Sequence, residues 1–514
     1  MNLRLLRALA WLMCLAATGL GVGVTHGQPI LTSWQTYSGA RYARLYTNQT
    51  AALAGNSVTT WIPGGRVVNG SQPNPVYAGV QSVRVSTNWV YVQSSALPGY
   101  VMGPWYLDAA KTQLFPNWPV NQNMLTRFPR VPTNSTAHTL TSLGAIALWV
   151  DAEIIHNQLD AYYWNGRSDT NAGLVFTNSW WRNADAAELL TFDPTGSHQP
   201  HTGERHFHIS PSALRYQLGD HLDYHPATLT YAENPALTNH SPILGWAFDG
   251  YPIYGPYGYA VATNAHSAVR RLISGYVPRD GNYGTTNLNA TGRASYPAWA
   301  LAIGETMNLT GPAVSTAYPL GWYVQDFDYL GDHGYAQGTD FDLDRYNGRF
   351  CVTPDFPGGT YAYFTTVDSN GVPAFPYVIG PQYYGVKTGG DYGATATVGF
   401  TNVETPNVTN YLGGPNAALL LQSPQPAGGT VTLTWSSAEG GHYNAEVSTN
   451  LTAWTTNAVN VSAVNLLTNS VTSQTSLATN LFGGSSRVFF RVVQTSLDTY
   501  APVTAAPPPA SQGD

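Results

Sequence analysis

Short runs in which apolar and polar residues alternate are the feature of this 514-residue sequence that most restricts its fold. Residues 82–92 (SVRVSTNWVYV) have the pattern of one or two strands, and residues 145–155 (AIALWVDAEII) that of a hairpin turning at Asp151-Ala152. Helical spacing of apolar residues is scarce, and 51 Gly and 35 Pro residues interrupt the chain at short intervals. These patterns predict a mostly β protein with few short helices.

Two short helices are expected among the strands. One covers residues 183–190. The other begins with Ser210 as N-cap and Pro211 at the first helical position, and it ends before Gly219.

The start of the chain has the pattern of a secretory signal. Arg4 and Arg7 precede an uncharged apolar run from Ala8 to Val24, after which the sequence turns polar. We predict a signal peptide over residues 1–27, with a membrane anchor as the alternative. No later stretch reaches the roughly 20 apolar residues of a spanning helix. The predicted product is therefore secreted or periplasmic and does not span a membrane.

Composition shifts divide the remaining chain into segments. Residues 28–385 are expected to form a β-rich domain with its core at about 130–385, and residues 386–415 form a Gly/Thr/Asn-rich linker. Several short strands follow within residues 416–495, which predicts a small β-sandwich of the immunoglobulin or fibronectin type. The tail, residues 496–514, is rich in Pro and Ala and is predicted to be disordered.

Charge and cysteine content exclude several classes of function. The chain has 22 basic and 29 acidic residues and no basic patch, which argues against nucleic-acid binding. A surface rich in Asn, Thr, Ser, Gly and Tyr suits contact with an extracellular glycan or polymer, or simple solubility. Cys351 is the one cysteine outside the predicted signal, and its strand-like neighbours predict a buried thiol. The signature motifs of serine hydrolases, zinc proteases and P-loop proteins are missing.

Histidines are concentrated in one part of the sequence. Seven of the 13 lie between His198 and His240. On a strand, His206 and His208 would share one face with their Cα atoms roughly 6–7 Å apart. Neutral imidazoles are ligands for zinc and copper, so we predict a transition-metal site with His198 or His240 as the third ligand. The alternative is that these histidines are structural or solvated.

Carboxylates supply two further candidates. Asp340, Asp342 and Asp344 would share one face of a strand, where either calcium or neighbouring arginines must offset their charge. Pairing with Arg345 and Arg349 is favoured over calcium. If the metal site is catalytic, the nearest general bases by sequence are two acidic residues, Glu204 and Asp249.

Several motifs resemble one known family. Arg205-His206-Phe207-His208 lies where the YHYH family has its naming tetrad, with Arg and Phe in place of the two tyrosines. Residues 240–258 (HSPILGWAFDGYPIYGPYG) are similar to the family's most recognisable stretch, and the resemblance runs from about residue 43 to residue 390. It implies a secreted bacterial protein with a YHYH domain, and it brings no established activity with it.

Three functions are compatible with these observations. The first is a metal-binding domain centred on His206 and His208, with or without catalysis. The second is a module that binds glycans or surface polymers without catalysis, and the third is a structural extracellular protein.

Overall fold

The computed structural model describes residues 29–35, 42–62, 70–172, 178–307, 309–391, 409–412, 425–427, 430–436, 441–462, 472–478 and 487–497. The predicted signal segment, residues 1–27, lies outside these residues, as does the predicted tail beyond residue 497. None of the helices that the structure describes is long and apolar enough to cross a membrane.

Short strands make up most of the regular structure, which confirms the prediction of a mostly β protein. From the N-terminal end they are β1 (Arg44–Leu45), β2 (Val80–Val85), β3 (Trp89–Ser94), β4 (Val101–Met102), β5 (Met124–Pro129), β6 (Ala145–Trp149), β7 (Ile154–His156), β8 (Leu159–Trp164), β9 (Asp169–Asn171), β10 (Trp181–Asn183), β11 (Ser197–His198), β12 (His206–Phe207), β13 (Leu222–His225), β14 (Thr230–Glu233), β15 (Ile243–Ala247), β16 (Pro252–Tyr254), β17 (Tyr257–Tyr259), β18 (Val269–Arg271), β19 (Tyr276–Pro278), β20 (Phe327–Tyr329), β21 (Gly348–Cys351) and β22 (Thr360–Phe364). The last eight are β23 (Gly390–Asp391), β24 (Thr409–Leu412), β25 (Gln425–Ala427), β26 (Thr430–Ser436), β27 (Gly441–Ser448), β28 (Thr455–Ser462), β29 (Thr472–Ala478) and β30 (Phe489–Leu497).

The helices are short and connect strands. The α-helices are α1 (Gln49–Leu53), α2 (Ala184–Glu188), α3 (Ser212–Gln217), α4 (Leu288–Thr291) and α5 (Ala298–Ala302). Single 3₁₀ turns cover Leu31–Ser33, Leu189–Thr191, Asn282–Gly284, Val324–Asp326 and Leu330–His333.

An eight-stranded mixed sheet forms the centre, in the order β11-β12-β7-β6-β15-β16-β22-β21. The hairpin of β6 and β7 is the one that alternation predicted, and Ala152 in its turn has a positive φ of 67°. β12 pairs in parallel with β7, and β11 pairs antiparallel with β12, so these two very short strands end the sheet.

A five-stranded sheet in the order β23-β5-β3-β2-β24 shares the largest hydrophobic core with the central sheet. In that core the ring of Phe128 on β5 lies 5.8 Å from the ring of Phe248, which directly follows β15. β23 and β24 come from the stretch predicted as a linker, so parts of residues 386–415 extend a sheet rather than only connecting two domains.

Two three-stranded sheets follow, β25-β26-β29 and β28-β27-β30. Side chains from both sheets meet in a separate hydrophobic cluster around Trp435 and Tyr443, whose rings lie 5.8 Å apart. Its relation to immunoglobulin or fibronectin modules stays a prediction.

The predicted helix after Ser210 starts later than expected. Pro211 is the N-cap, with extended backbone at φ −83° and ψ 91°, and the helix begins at Ser212. Among the residues that the structure describes, no side chain caps the start of the helix, and the Ser210 hydroxyl donates to Oγ1 of Thr365 at 3.2 Å. The end of the helix agrees with the prediction, since Gly219 has a φ of 71° just beyond it.

Candidate metal centre

Three of the four histidines that the sequence singled out, His198, His206 and His208, lie at the β11–β12 edge of the central sheet. His198 on β11 is the direct cross-strand partner of His206 on β12. The connection between them turns at Gly203, which has a φ of 72°. A Cβ at this position would lie 2.7 Å from Cγ2 of Val120, so the turn requires glycine.

Four side chains converge at this edge. The Nε2 atom of His206 lies 3.2 Å from Nε2 of His198 and 3.1 Å from Nε2 of His208. On the other side, Oε2 of Glu188, the last residue of α2, lies 3.3 Å from each Nε2 of His198 and His208. We call His198, His206, His208 and Glu188 the His3Glu cluster.

Hydrogen bonds to the outer ring nitrogens fix the tautomers of two histidines. Nδ1 of His206 lies 3.0 Å from the backbone oxygen of Glu204, and Nδ1 of His208 lies 2.5 Å from that of Asn157. A carbonyl oxygen only accepts, so each Nδ1 carries the hydrogen. In the neutral rings each Nε2 therefore presents a lone pair to the centre of the cluster.

His198 is held in the same tautomer through a hydroxyl. Oγ1 of Thr191 donates to the backbone oxygen of Glu188 at 2.7 Å, and Nδ1 of His198 lies 2.7 Å from the same Oγ1. Because the hydroxyl hydrogen is already used, Oγ1 accepts from Nδ1–H of His198. The cluster thus points three nitrogen lone pairs and one carboxylate oxygen at each other.

Burial keeps His206 and His208 in the neutral form that binds cations. His198, His206 and His208 are 6%, 5% and 3% exposed. Burial lowers the pKa of His206 well below its usual value and that of His208 to about 4, so both rings are neutral at neutral pH. Burial raises the pKa of Glu188, but contacts with His198 and then His208 outweigh it, and the net direction is down.

His156 and Glu204 form a pair beside the cluster. Nε2 of His156 donates to Oε1 of Glu204 at 2.9 Å, and the His156 ring stacks on His206 with centroids 3.9 Å apart and planes at 14°. His156 lies close enough to His206 and His208 to suggest a shared ion. However, a metal lies near the plane of each ring that ligates it, and two stacked planes have no common point. His156 therefore supports His206 rather than sharing its ion.

His240 and Asp249 lie apart from the cluster. The ring of His240 packs against Tyr254 and Tyr259, with centroids 5.2 and 4.9 Å away, and its Nδ1 donates to the backbone oxygen of Ser241. His240 therefore does not join the other three predicted ligands. The carboxylate of Asp249 accepts from the Tyr363 hydroxyl at 2.6 Å and is fully buried, which makes it part of the core.

The three aspartates predicted on one strand face lie instead in the irregular segment before β21. Asp342 is held bidentately by Arg270 at 2.7 and 2.8 Å, with Arg349 3.8 Å away. Asp344 accepts from the Tyr361 hydroxyl, and Asp340 accepts from a backbone amide. Arginine pairing, the favoured alternative, accounts for Asp342, although Arg270 rather than Arg345 is the main partner.

Two residues of the tetrad region have structural roles. Arg205, in the position of the first tyrosine, is fully buried and pairs with Glu153 and Asp193. Phe207 packs edge-on to Trp149 in the core. Cys351 is also fully buried, as predicted.

Sequence reasoning missed Glu188 and His156. Glu188 lies on a helix that was predicted, and an acidic residue ten positions before His198 was the available signal. His156 directly follows the predicted hairpin of residues 145–155. Neither residue could be assigned to the site from sequence, because α2 and β7 come close to β12 only in the folded protein.

Comparison with known proteins gives one match. The family described as YHYH protein matches residues 125–376. No curated protein and no solved structure matches the chain. The matched stretch contains the central sheet and all four residues of the His3Glu cluster. The part of the chain that builds this site therefore matches the YHYH family.

Proposed function

We propose that the protein binds one transition-metal ion through the His3Glu cluster. The observation that carries the proposal is the donor set itself: three Nε2 atoms and a carboxylate oxygen form a ring in which neighbouring donors lie 3.1–3.3 Å apart. Four acceptors in a buried place repel each other unless a cation lies among them. A bound cation turns this repulsion into stabilisation.

The donor types suit zinc and copper, because both metals bind neutral imidazole nitrogens. Zinc also accepts a carboxylate oxygen, such as that of Glu188, in a four-coordinate site.

A stabilising role fits this ligand set better than catalysis. Structural zinc sites have four protein ligands, whereas catalytic ones keep one position for water. Here four protein ligands fill the shell, and the ion would join α2 to the two edge strands of the central sheet. The outer nitrogens are already held by carbonyl and hydroxyl oxygens, as ligating histidines usually are.

Metal content of the full-length protein tests the proposal. Elemental mass spectrometry of protein purified without chelators and without a nickel column should find one zinc or copper ion per chain. His206→Ala should lose that ion and lower the melting temperature. Removing the ion from the wild-type protein should also lower the melting temperature, since metal at 100 times its Kd stabilises the folded state by about 2.7 kcal/mol.

His201→Ala is the matched control, because His201 is exposed in the same β11–β12 connection and lies outside the cluster. It should keep the metal and the melting temperature. Wild type without stoichiometric metal and without a thermal shift on addition of zinc or copper would disprove the proposal. Retention of the ion by His206→Ala would assign it to other ligands.

A further inference from the structure

A large polar cleft lies next to the metal centre and has no part in it. Its volume is about 830 Å³, within the range of sites that hold ligands of several rings. Phe192 forms one wall, with its ring centroid 5.0 Å from that of His198 on the opposite side. Arg271, on β18, lies on another wall. We call this space the Arg271 cleft.

The floor of the cleft is a fixed ionic network. Arg215, 2% exposed, binds Glu233 with both terminal nitrogens at 2.7 and 3.1 Å. The hydroxyl of Tyr257 donates to Glu233 at 3.0 Å, and the Tyr257 ring stacks on His221 with centroids 3.8 Å apart. These partners hold the side chains in place before a ligand arrives, which lowers the entropy cost of binding.

Arg271 differs from Arg215 in its partners. Its Nη1 donates to the backbone oxygen of Val367 at 2.9 Å, and no carboxylate pairs with it among the residues that the structure describes. Asp368 also lines the cleft, but its Oδ1 accepts from the backbone amides of Asn370 and Val372. Arg271 therefore offers the cleft a half-buried cation whose charge a ligand can neutralise.

We propose that the Arg271 cleft binds an acidic oligosaccharide, with a sugar carboxylate on Arg271. A guanidinium recognises a carboxylate through paired, charge-assisted hydrogen bonds. The hydroxyl-bearing residues Ser212 and Ser369 and the carboxylates of Glu233 and Asp368 offer partners for sugar hydroxyls. Aromatic rings of Phe192 and Tyr231 supply apolar surface for ring faces. This proposal does not rest on the metal.

Calorimetric titration of the full-length protein tests it. The probes are trimers of galacturonate and of mannuronate, with maltotriose as the neutral sugar of equal length. At least one charged trimer should bind wild type, and maltotriose should bind at least tenfold more weakly. Arg271→Gln should weaken binding of the charged trimer at least tenfold, since it removes the charge-assisted hydrogen bonds to the sugar carboxylate.

Two further variants keep the test decisive. Arg167→Gln removes the same charge from an exposed loop and should bind like wild type. Ala232→Trp places bulk at an exposed position of the cleft wall and should also abolish binding. The proposal is overturned if neither charged trimer binds folded wild type, if maltotriose binds equally well, or if either Arg271→Gln or Ala232→Trp binds the charged trimer as tightly as wild type.

Discussion

Replacement of Arg205 by Met should be one of the most damaging single changes in the domain. Arg205 is fully buried beside three buried carboxyls, Asp151, Glu153 and Asp193. Its guanidinium also lies over the ring of Phe207, 5.0 Å from the centroid. Methionine fills much of the same volume but leaves the carboxyls without a cation.

The expected loss of stability follows from the burial of the ion pairs of Arg205. Removing one partner of a buried ion pair costs about 3–5 kcal/mol, because the remaining charge is left without compensation. An exposed pair is worth about 0–1 kcal/mol. Arg345, whose side chain is 37% exposed and pairs with Asp332 at 3.1 Å, supplies the matched control Arg345→Met. The two substitutions should therefore differ by at least 2 kcal/mol or so.

Urea unfolding at pH 7.5 and pH 5 measures the loss of stability and the direction in which this loss changes with pH. Burial raises the pKa of Asp151 to about 7 and also raises that of Asp193. Without Arg205 these carboxyls take up protons more readily in the folded state, so the loss of stability should shrink as the pH falls. A loss below 1 kcal/mol, or an equal loss at both pH values, would refute the reasoning.

The remaining predictions concern other buried groups. Burial raises the pKa of Glu305 from 4.5 to about 7, so the folded state keeps a proton that the unfolded chain releases. This contribution makes the free energy of unfolding decrease as the pH rises from about 4.5 to 7. Glu305→Gln should make the free energy of unfolding, measured by denaturation at pH 5 and pH 8, less dependent on pH. An unchanged pH dependence would contradict the assignment. Burial raises the pKa of Cys351 to about 11, so a thiol reagent should label it only after denaturation. Rapid labelling of the folded protein would show that the thiol is accessible.

Local patterns predicted the strands better than the contacts between them. Alternation located the hairpin of β6 and β7, and the spacing of His206 and His208 correctly put their nitrogens together. The turn at Gly203 brought His198 back as expected. All three features depend on residues near one another in sequence, where backbone geometry dictates the outcome.

Contacts across the sheet could not be read in the same way. His240 begins a recognisable motif, yet an apolar pocket beside Tyr254 and Tyr259 holds it. Glu188 reaches the cluster because α2 packs near the sheet edge, and no periodicity encodes that approach. The charge of Asp342 is compensated by Arg270, which lies 72 residues away in sequence and which no local pattern indicates.

The four residues of the His3Glu cluster lie within one short stretch of chain, from residue 188 to residue 208. Joining positions so close in sequence closes only small loops, and the entropy lost on closing a loop grows with its length. The parallel pairing of β12 with β7, by contrast, must bring together residues about fifty positions apart. If the cluster binds an ion, ligation would therefore order this segment at a smaller loop-closure cost than the pairing of β12 with β7 requires.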